Sequence, residues 1–314
     1  MGGWGMGRLG GQKVTWQRLF LLALSPAVLL ISQETPVFRT EVKLVRLLVT
    51  VKDKAGHLVG SLGKDAFRIF DNGAEQDVAV FERQTALPLN VALCIDTSGS
   101  TAKELKYELE SATKFLHAFF NEGNPEDMVA LYSFNWEVVV RSNFTRRIQR
   151  LEDGMKRMKG EAGTSLYDAI FFASRDLEKR DGRRVIVVVT DGGDTTSGKK
   201  YHEALEAAQR ADAVIYSILV MPITSDAGRN IGGENALTTL GQGTGGKVFL
   251  PSLGAEVDRA FADILRDLRT QYLVGYYPKN VPLTKNRFHS LKIQLSNPDL
   301  QSQYRNGYYG DAAR

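Results

Sequence analysis

The sequence predicts an α/β protein. A doubly wound, mostly parallel sheet is inserted into or flanked by a small antiparallel β-sandwich that the N- and C-terminal segments form together. Three observations predict it. Short continuous apolar runs recur through the middle of the chain, as expected of strands buried on both faces. Segments with apolar residues three and four apart lie between those runs. Both ends alternate apolar and polar residues instead, the pattern of half-buried antiparallel strands.

The chain has 314 residues, enough for about two domains and for a large core without disulfides or a structural metal. Its 43% apolar and 24% charged residues exclude a disordered chain, a coiled coil and a polytopic membrane protein. A single cysteine excludes an internal disulfide framework and Cys/His zinc spacing, and four histidines leave little room for a multi-histidine metal site. The net charge is +4, and Arg8, Lys13 and Arg18 account for three of those charges. The rest is nearly neutral and has no basic stripe interleaved with aromatics, so no nucleic-acid partner is expected.

Residues 1–33 read as an address. A Gly-rich basic stretch precedes the apolar run Leu19–Ile31 (LFLLALSPAVLLI), the order of a secretory signal. The run is shorter than the ~20 residues a spanning helix needs, and Pro26 interrupts it. It serves as a signal peptide or a short membrane anchor. The protein is then exported: secreted, periplasmic or anchored at the envelope, with no other membrane contact.

Residues 34–87 supply the N-terminal part of the sandwich. Val45, Leu47, Val49 and Val51 alternate along one face, and the turn signals Lys54-Ala55-Gly56 and Asp71-Asn72-Gly73 separate short runs at Phe67–Phe70 and Val78–Phe81. Residues 88–270 are the α/β domain. Its strands are Val91–Ile95, Met128–Leu131, Val185–Val189 and Val214–Val220. Its helices are marked by Leu105, Leu109, Ala112, Leu116 and Phe119, by Leu166, Ile170, Ala173 and Leu177, and by Val257, Phe261, Ile264 and Leu268. Residues 271–314 supply the C-terminal part of the sandwich: Gln271–Tyr277, then Leu291, Ile293 and Leu295 in alternation, then Tyr308-Tyr309. Neither end holds enough strands to be secure by itself, so the two ends are expected to pair.

The chemistry gathers where strands end. Asp96-Thr97-Ser98-Gly99-Ser100 closes the first buried strand, Gly163-Thr164-Ser165 opens a helix, and Thr190-Asp191-Gly192-Gly193 closes the strand Val185–Val189. In an open α/β sheet, ligands bind beyond the carboxyl ends of the strands, and all three motifs fall at that edge. Asp96, Ser98, Ser100, Thr164 and Asp191 offer only oxygen, which selects a hard divalent cation: Mg2+ first, with Ca2+ or Mn2+ as alternatives. Neutral hydroxyls ligate weakly, so an ion held this way keeps Lewis acidity that an incoming carboxylate can satisfy. The competing reading is helix capping, for which Ser and Asp are preferred. The two further loops favour a metal site over it.

DTSGS after an apolar strand, GTSLYDA at a helix start and VVVTDGGD after a second strand together resemble the von Willebrand factor A (VWFA, or VWA) domain. The resemblance covers about residues 88–270. It implies a metal-ion-dependent adhesion site in which Ser98 and Ser100 coordinate the metal directly and Thr164 does so in the high-affinity state. Asp96 and Asp191 would act largely through water. The partner would be a protein presenting Asp or Glu. The end segments LVTVKDKAGHLVGSLGKDAFRIFDNGAEQ and QYLVGYYP…FHSLKIQLS…YRNGYY resemble a bacterial group of exported proteins with a VWFA-related region.

Other signals are weaker. Ser98 stands where the aspartic-protease triplet needs glycine. Gly241–Lys247 has the spacing GxxxxGK, but Val248 replaces the magnesium-binding hydroxyl and a strand-like run follows, so a tight turn is expected. Cys94 reads as a core residue and Asp168 as an acid stabilised in a first helical turn. Asp194 reads as a loop residue, Asn143-Phe144-Thr145 matches a glycosylation sequon, and no histidine is given a role. With no nucleophile–base pair, the expected function is non-enzymatic adhesion or protein–protein interaction. The alternatives are an accessory VWA subunit of a larger enzyme or ATPase complex, and a metal site that only braces the loops.

Overall fold

The computed structural model describes Met1 and residues 44–84, 86–101, 104–220, 230–252 and 254–311. The basic stretch and the run Leu19–Ile31 lie outside the described residues. No helix among the described residues is long and apolar enough to cross a membrane.

In chain order the first strands are β1 (Val45–Lys52), β2 (Phe67–Asp71), β3 (Ala74–Gln76) and β4 (Val78–Glu82). The middle of the chain gives β5 (Leu89–Asp96), α1 (Leu105–Asn121), β6 (Met128–Phe134), β7 (Val138–Thr145), α2 (Ile148–Lys156) and α3 (Leu166–Leu177). It continues with β8 (Arg183–Thr190), α4 (Tyr201–Arg210), β9 (Ala213–Leu219), α5 (Ile231–Thr244), β10 (Val248–Phe249) and α6 (Ala255–Thr270). The last strands are β11 (Tyr272–Tyr276), β12 (Phe288–Leu295), β13 (Gln301–Gln303) and β14 (Gly307–Tyr309).

The central sheet runs β10-β9-β8-β5-β6-β7 and is parallel except for β7, which pairs antiparallel with β6 at the edge. Both β5 and β8 are buried along their whole length, as their unbroken apolar runs require. Side chains alternate across the sheet. Val91, Leu93 and Ile95 face a core shared with α1, α2 and α6, while Ala92 and Cys94 face one shared with α3, α4 and α5. Cys94 is thus a core residue, and burial raises its thiol pKa.

The chain ends pair with each other. One four-stranded sheet runs β13-β1-β11-β4 and the other β14-β12-β2-β3, so each contains strands from both ends of the chain. Val45, Leu47, Val49 and Val51 of β1 meet Tyr272, Val274 and Tyr276 of β11 and Leu291 and Ile293 of β12 in one core. The β2–β3 hairpin turns at Asn72 and Gly73, both left-handed at φ 47° and 84°, the twist that two-residue hairpins favour.

Gly241–Lys247 is more than a tight turn. Gly241, Gln242 and Gly243 belong to the last turns of α5, and the chain turns only at Gly245, a left-handed C-cap at φ 88°. A preceding helix absorbed what reads in sequence as a loop.

One buried acid ties the α/β domain to the sandwich. Asp267 of α6, 3% exposed, accepts an ion pair from Lys52 of β1 at 3.1 Å and from Lys247, just before β10, at 3.0 Å. Burial, and then the neighbouring Lys52, pull the Lys247 ammonium down to about 8. Asp267→Ala is expected to lower unfolding stability by ~2 kcal/mol in urea denaturation, because two adjacent lysines lose their shared counter-charge. The lysine side chains are 21% and 29% exposed, which keeps the cost below that of a fully buried pair. An unchanged midpoint would show that the lysines relax into water.

Candidate metal centre

The order of the central sheet reverses beside β5. The chain passes from β5 to β6 on one side and later returns to place β8 on the other. The crevice at the carboxyl ends of β5 and β8 is therefore a topological switch point, where open α/β sheets bind ligands.

Asp96 ends β5 and is fully buried. Its Oδ1 accepts the Ser98 N–H at 2.8 Å and its Oδ2 accepts the Thr190 hydroxyl at 2.6 Å. Thr190 ends β8, so this bond joins the two strands at the crevice. The Ser98 and Ser100 hydroxyls lie 3.0 Å apart. Neither caps α1, whose N-cap is Glu104 without a side-chain capping bond. Thr101 braces the loop, its hydroxyl donating to the Asp96 and Ser98 carbonyls. Asp191 follows Thr190 and is only partly buried, with its Oδ1 3.4 Å from the Gly193 N–H.

Backbone bonds bring the remaining loop to the same place. Thr164, 5% exposed, donates its N–H to the Thr195 hydroxyl at 2.9 Å, and its carbonyl accepts from Thr195 and Thr196. Glu161 donates its N–H to the Thr97 carbonyl at 2.9 Å and forms a β-bridge with Ser98. Loops 96–101, 161–165 and 190–197, which carry Asp96, Ser98, Ser100, Thr164 and Asp191, are thus hydrogen-bonded to one another. The neighbouring acids hold loops in place. The Asp168 carboxylate accepts the Gly198 and Lys199 N–H groups, and Asp194 accepts from Tyr167 N–H and the Ser197 hydroxyl.

The sequence reading missed two acids beneath this cluster. Glu108 is fully buried and, among the described residues, neither of its carboxylate oxygens has a hydrogen-bond partner; Glu104 Oε2 is likewise buried and without a partner among them. The signal was there: Leu105, Glu108, Ala112 and Phe115 follow the three-and-four spacing of the stripe that α1 buries. Burial, and then Asp96, Glu104 and Asp191, push the Glu108 carboxyl up to about 8. Burial pushes Asp96 up to about 7, Asp191 adding to the shift while bonds from Thr190 and Ser98 oppose it.

This donor set fits a hard cation. The five candidate side chains offer only oxygen donors, and buried carboxyl oxygens that lack partners among the described residues mark polar groups that an ion would satisfy. Among the described residues no three His, Cys, Asp or Glu side chains converge as a metal centre. An ion here would rest chiefly on hydroxyls and two aspartates.

Fold and site together define a class: an α/β domain with an oxygen-only cluster at the switch point of its sheet. Residues 91–193 match the family model described as the von Willebrand factor type A domain. Solved structures with a similar fold include protein BatB from Bacteroides thetaiotaomicron, 17% identical over 57% of this chain and 98% of its own, with TM-score 0.46. The vWF domain of the type V pili tip protein Mfa5 from Porphyromonas gingivalis is 14% identical over 58% of this chain and 95% of its own, with TM-score 0.48. The pilus adhesin SpaC from Lactobacillus rhamnosus GG is 9% identical over 76% of this chain and 47% of its own, with TM-score 0.49. No curated protein matches the chain.

Proposed function

We propose that this protein is an exported, non-enzymatic binding module whose VWA domain recognises an Asp or Glu side chain of a partner protein through a divalent cation. Asp96, Ser98, Ser100, Thr164 and Asp191 would hold the ion, Mg2+ first and Ca2+ or Mn2+ as alternatives. The observation that supports the reading is the set of oxygen donors at the β5/β8 crevice, near Glu108 and Glu104 Oε2, whose buried oxygens have no partner among the described residues. The ion would supply Lewis acidity toward a partner carboxylate. The chain's own residues set how much remains to be supplied: two hydroxyls and a threonine contribute no formal charge, so an acidic ligand is favoured over a neutral one. Buried Asp96, fixed by Ser98 and Thr190, keeps the Ser98–Ser100 loop in register with β8. The basic and apolar N-terminal segment supports export, as a released or an anchored protein.

Calorimetric titration of the purified protein with MgCl2, CaCl2 and MnCl2 tests the reading. One ion taken up per chain at submillimolar to millimolar concentration is the expected result, with Ser98→Ala weakening uptake at least ~10-fold. No uptake of any of the three at millimolar concentration would refute it.

A further inference from the structure

Beside the oxygen cluster stands an arrangement that the metal reading does not use. Trp136, in the turn between β6 and β7, is 57% exposed, an unusual state for the largest side chain. Its position is fixed. The Ser165 hydroxyl donates to the Trp136 carbonyl at 3.0 Å, and the Ser165 N–H donates to the carbonyl of Asn135. Gly163, at φ 86°, lets the chain pass close under it: a Cβ there would lie 3.0 Å from Trp136 Cβ. The residue after Gly163 is Thr164, so Trp136 borders the cluster on that side.

The indole is also aimed. Trp136 Nε1 donates to Glu161 Oε2 at 3.1 Å. Glu161 is the β-bridge partner of Ser98, so its backbone runs alongside the Asp96–Ser100 loop. Glu161 is exposed and makes no ion pair among the described residues, and no cation lies over the Trp136 ring among them. An aromatic face and an unneutralised carboxylate, locked edge to edge, form a receptor for a cation: the ring quadrupole and the carboxylate attract the same positive charge.

We infer that Trp136 and Glu161 form a cation-accepting subsite, so that the partner presents Lys or Arg within about two residues of the acid it donates to the metal. The inference rests on the carboxylate-and-metal reading above and adds the chemistry of the neighbouring partner residue. The spacing follows from the bridge. Adjacent strands lie ~4.8 Å apart and an extended peptide advances ~3.3 Å per residue, so two positions span the step from Ser98 to the Glu161 side chain.

A library of random seven-residue peptides, selected on the immobilised full chain in Mg2+ and eluted with EDTA, tests it. The expected result is enrichment of Asp or Glu, with Arg and Lys enriched roughly five-fold within two positions of that acid. The Arg and Lys enrichment should disappear when selection is repeated on Glu161→Gln. Enrichment of the acid on the wild-type chain without a neighbouring cation would overturn the inference and leave the metal reading standing. If EDTA elutes no acidic peptides, the metal reading fails and the inference falls with it.

Discussion

Asp71→Ala is expected to cost about 4 kcal/mol of unfolding stability, a large share of the ~5–15 kcal/mol a domain has. Asp71 ends β2 in the middle of the sandwich and is fully buried. Its Oδ2 accepts the hydroxyls of Tyr276 of β11 and Tyr308 of β14, each at 2.7 Å, and its Oδ1 lies 3.1 Å from His289 Nδ1 of β12. The His289 ring stacks on Tyr308 with centroids 4.8 Å apart. Deleting the carboxylate strands three polar groups where water cannot reach them, at ~1–3 kcal/mol for each, less what relaxation recovers. Urea denaturation measures the total. Tyr308→Phe should cost less in the Asp71→Ala background than in the wild type, because its acceptor is already gone. Full additivity of the two changes would mean that they do not share one network.

Asp96→Asn is expected to separate metal uptake from folding. The variant should take up no Mg2+ at 1 mM, on the order of a 100-fold loss or more. Its metal-free thermal midpoint should equal or exceed that of the wild type. Asp96 is buried close to Asp191 and Glu108, and like charges out of water oppose one another. An amide removes that opposition. Its oxygen still accepts the Ser98 N–H, while only the Thr190 hydroxyl must turn. The wild-type chain should gain ~3 kcal/mol from Mg2+ at 100 times its dissociation constant, and the variant nothing. Scanning calorimetry with and without Mg2+ reads both quantities. An equal gain in the two proteins would place the ion elsewhere.

What could be read from the sequence follows from how each element is buried. β5, β8 and β9 are buried throughout, so their apolar runs are unbroken and legible. The helices that escaped notice bury little that is strongly apolar. α2 buries Leu151, Gly154 and Met155, α4 buries chiefly alanines, and α5 is interrupted by glycines. β7 lies at the sheet edge and is half-buried, so its pattern is blurred. The loops that carry Asp96, Ser98, Ser100, Thr164 and Asp191 were legible as strand and helix ends, because each is a short polar motif beside an apolar run. Glu104 and Glu108 were obscured because acids in a helix read as solvated. His289 was illegible for a different reason: its partner Asp71 is 218 positions away, a pairing that only the sandwich creates.

The interleaving of the two chain ends in the sandwich sets an order of events during synthesis. The central sheet is complete once β10 has emerged, whereas β1 finds its neighbours only in β11 and β13, and β2 completes its pairing only with β12. β1 and β2 are therefore made well before the strands that satisfy them, and until then they present open edges that join readily to a neighbouring molecule. A chain stopped before Gln271 would carry a finished α/β domain and an orphaned, adhesive N-terminal half-sandwich.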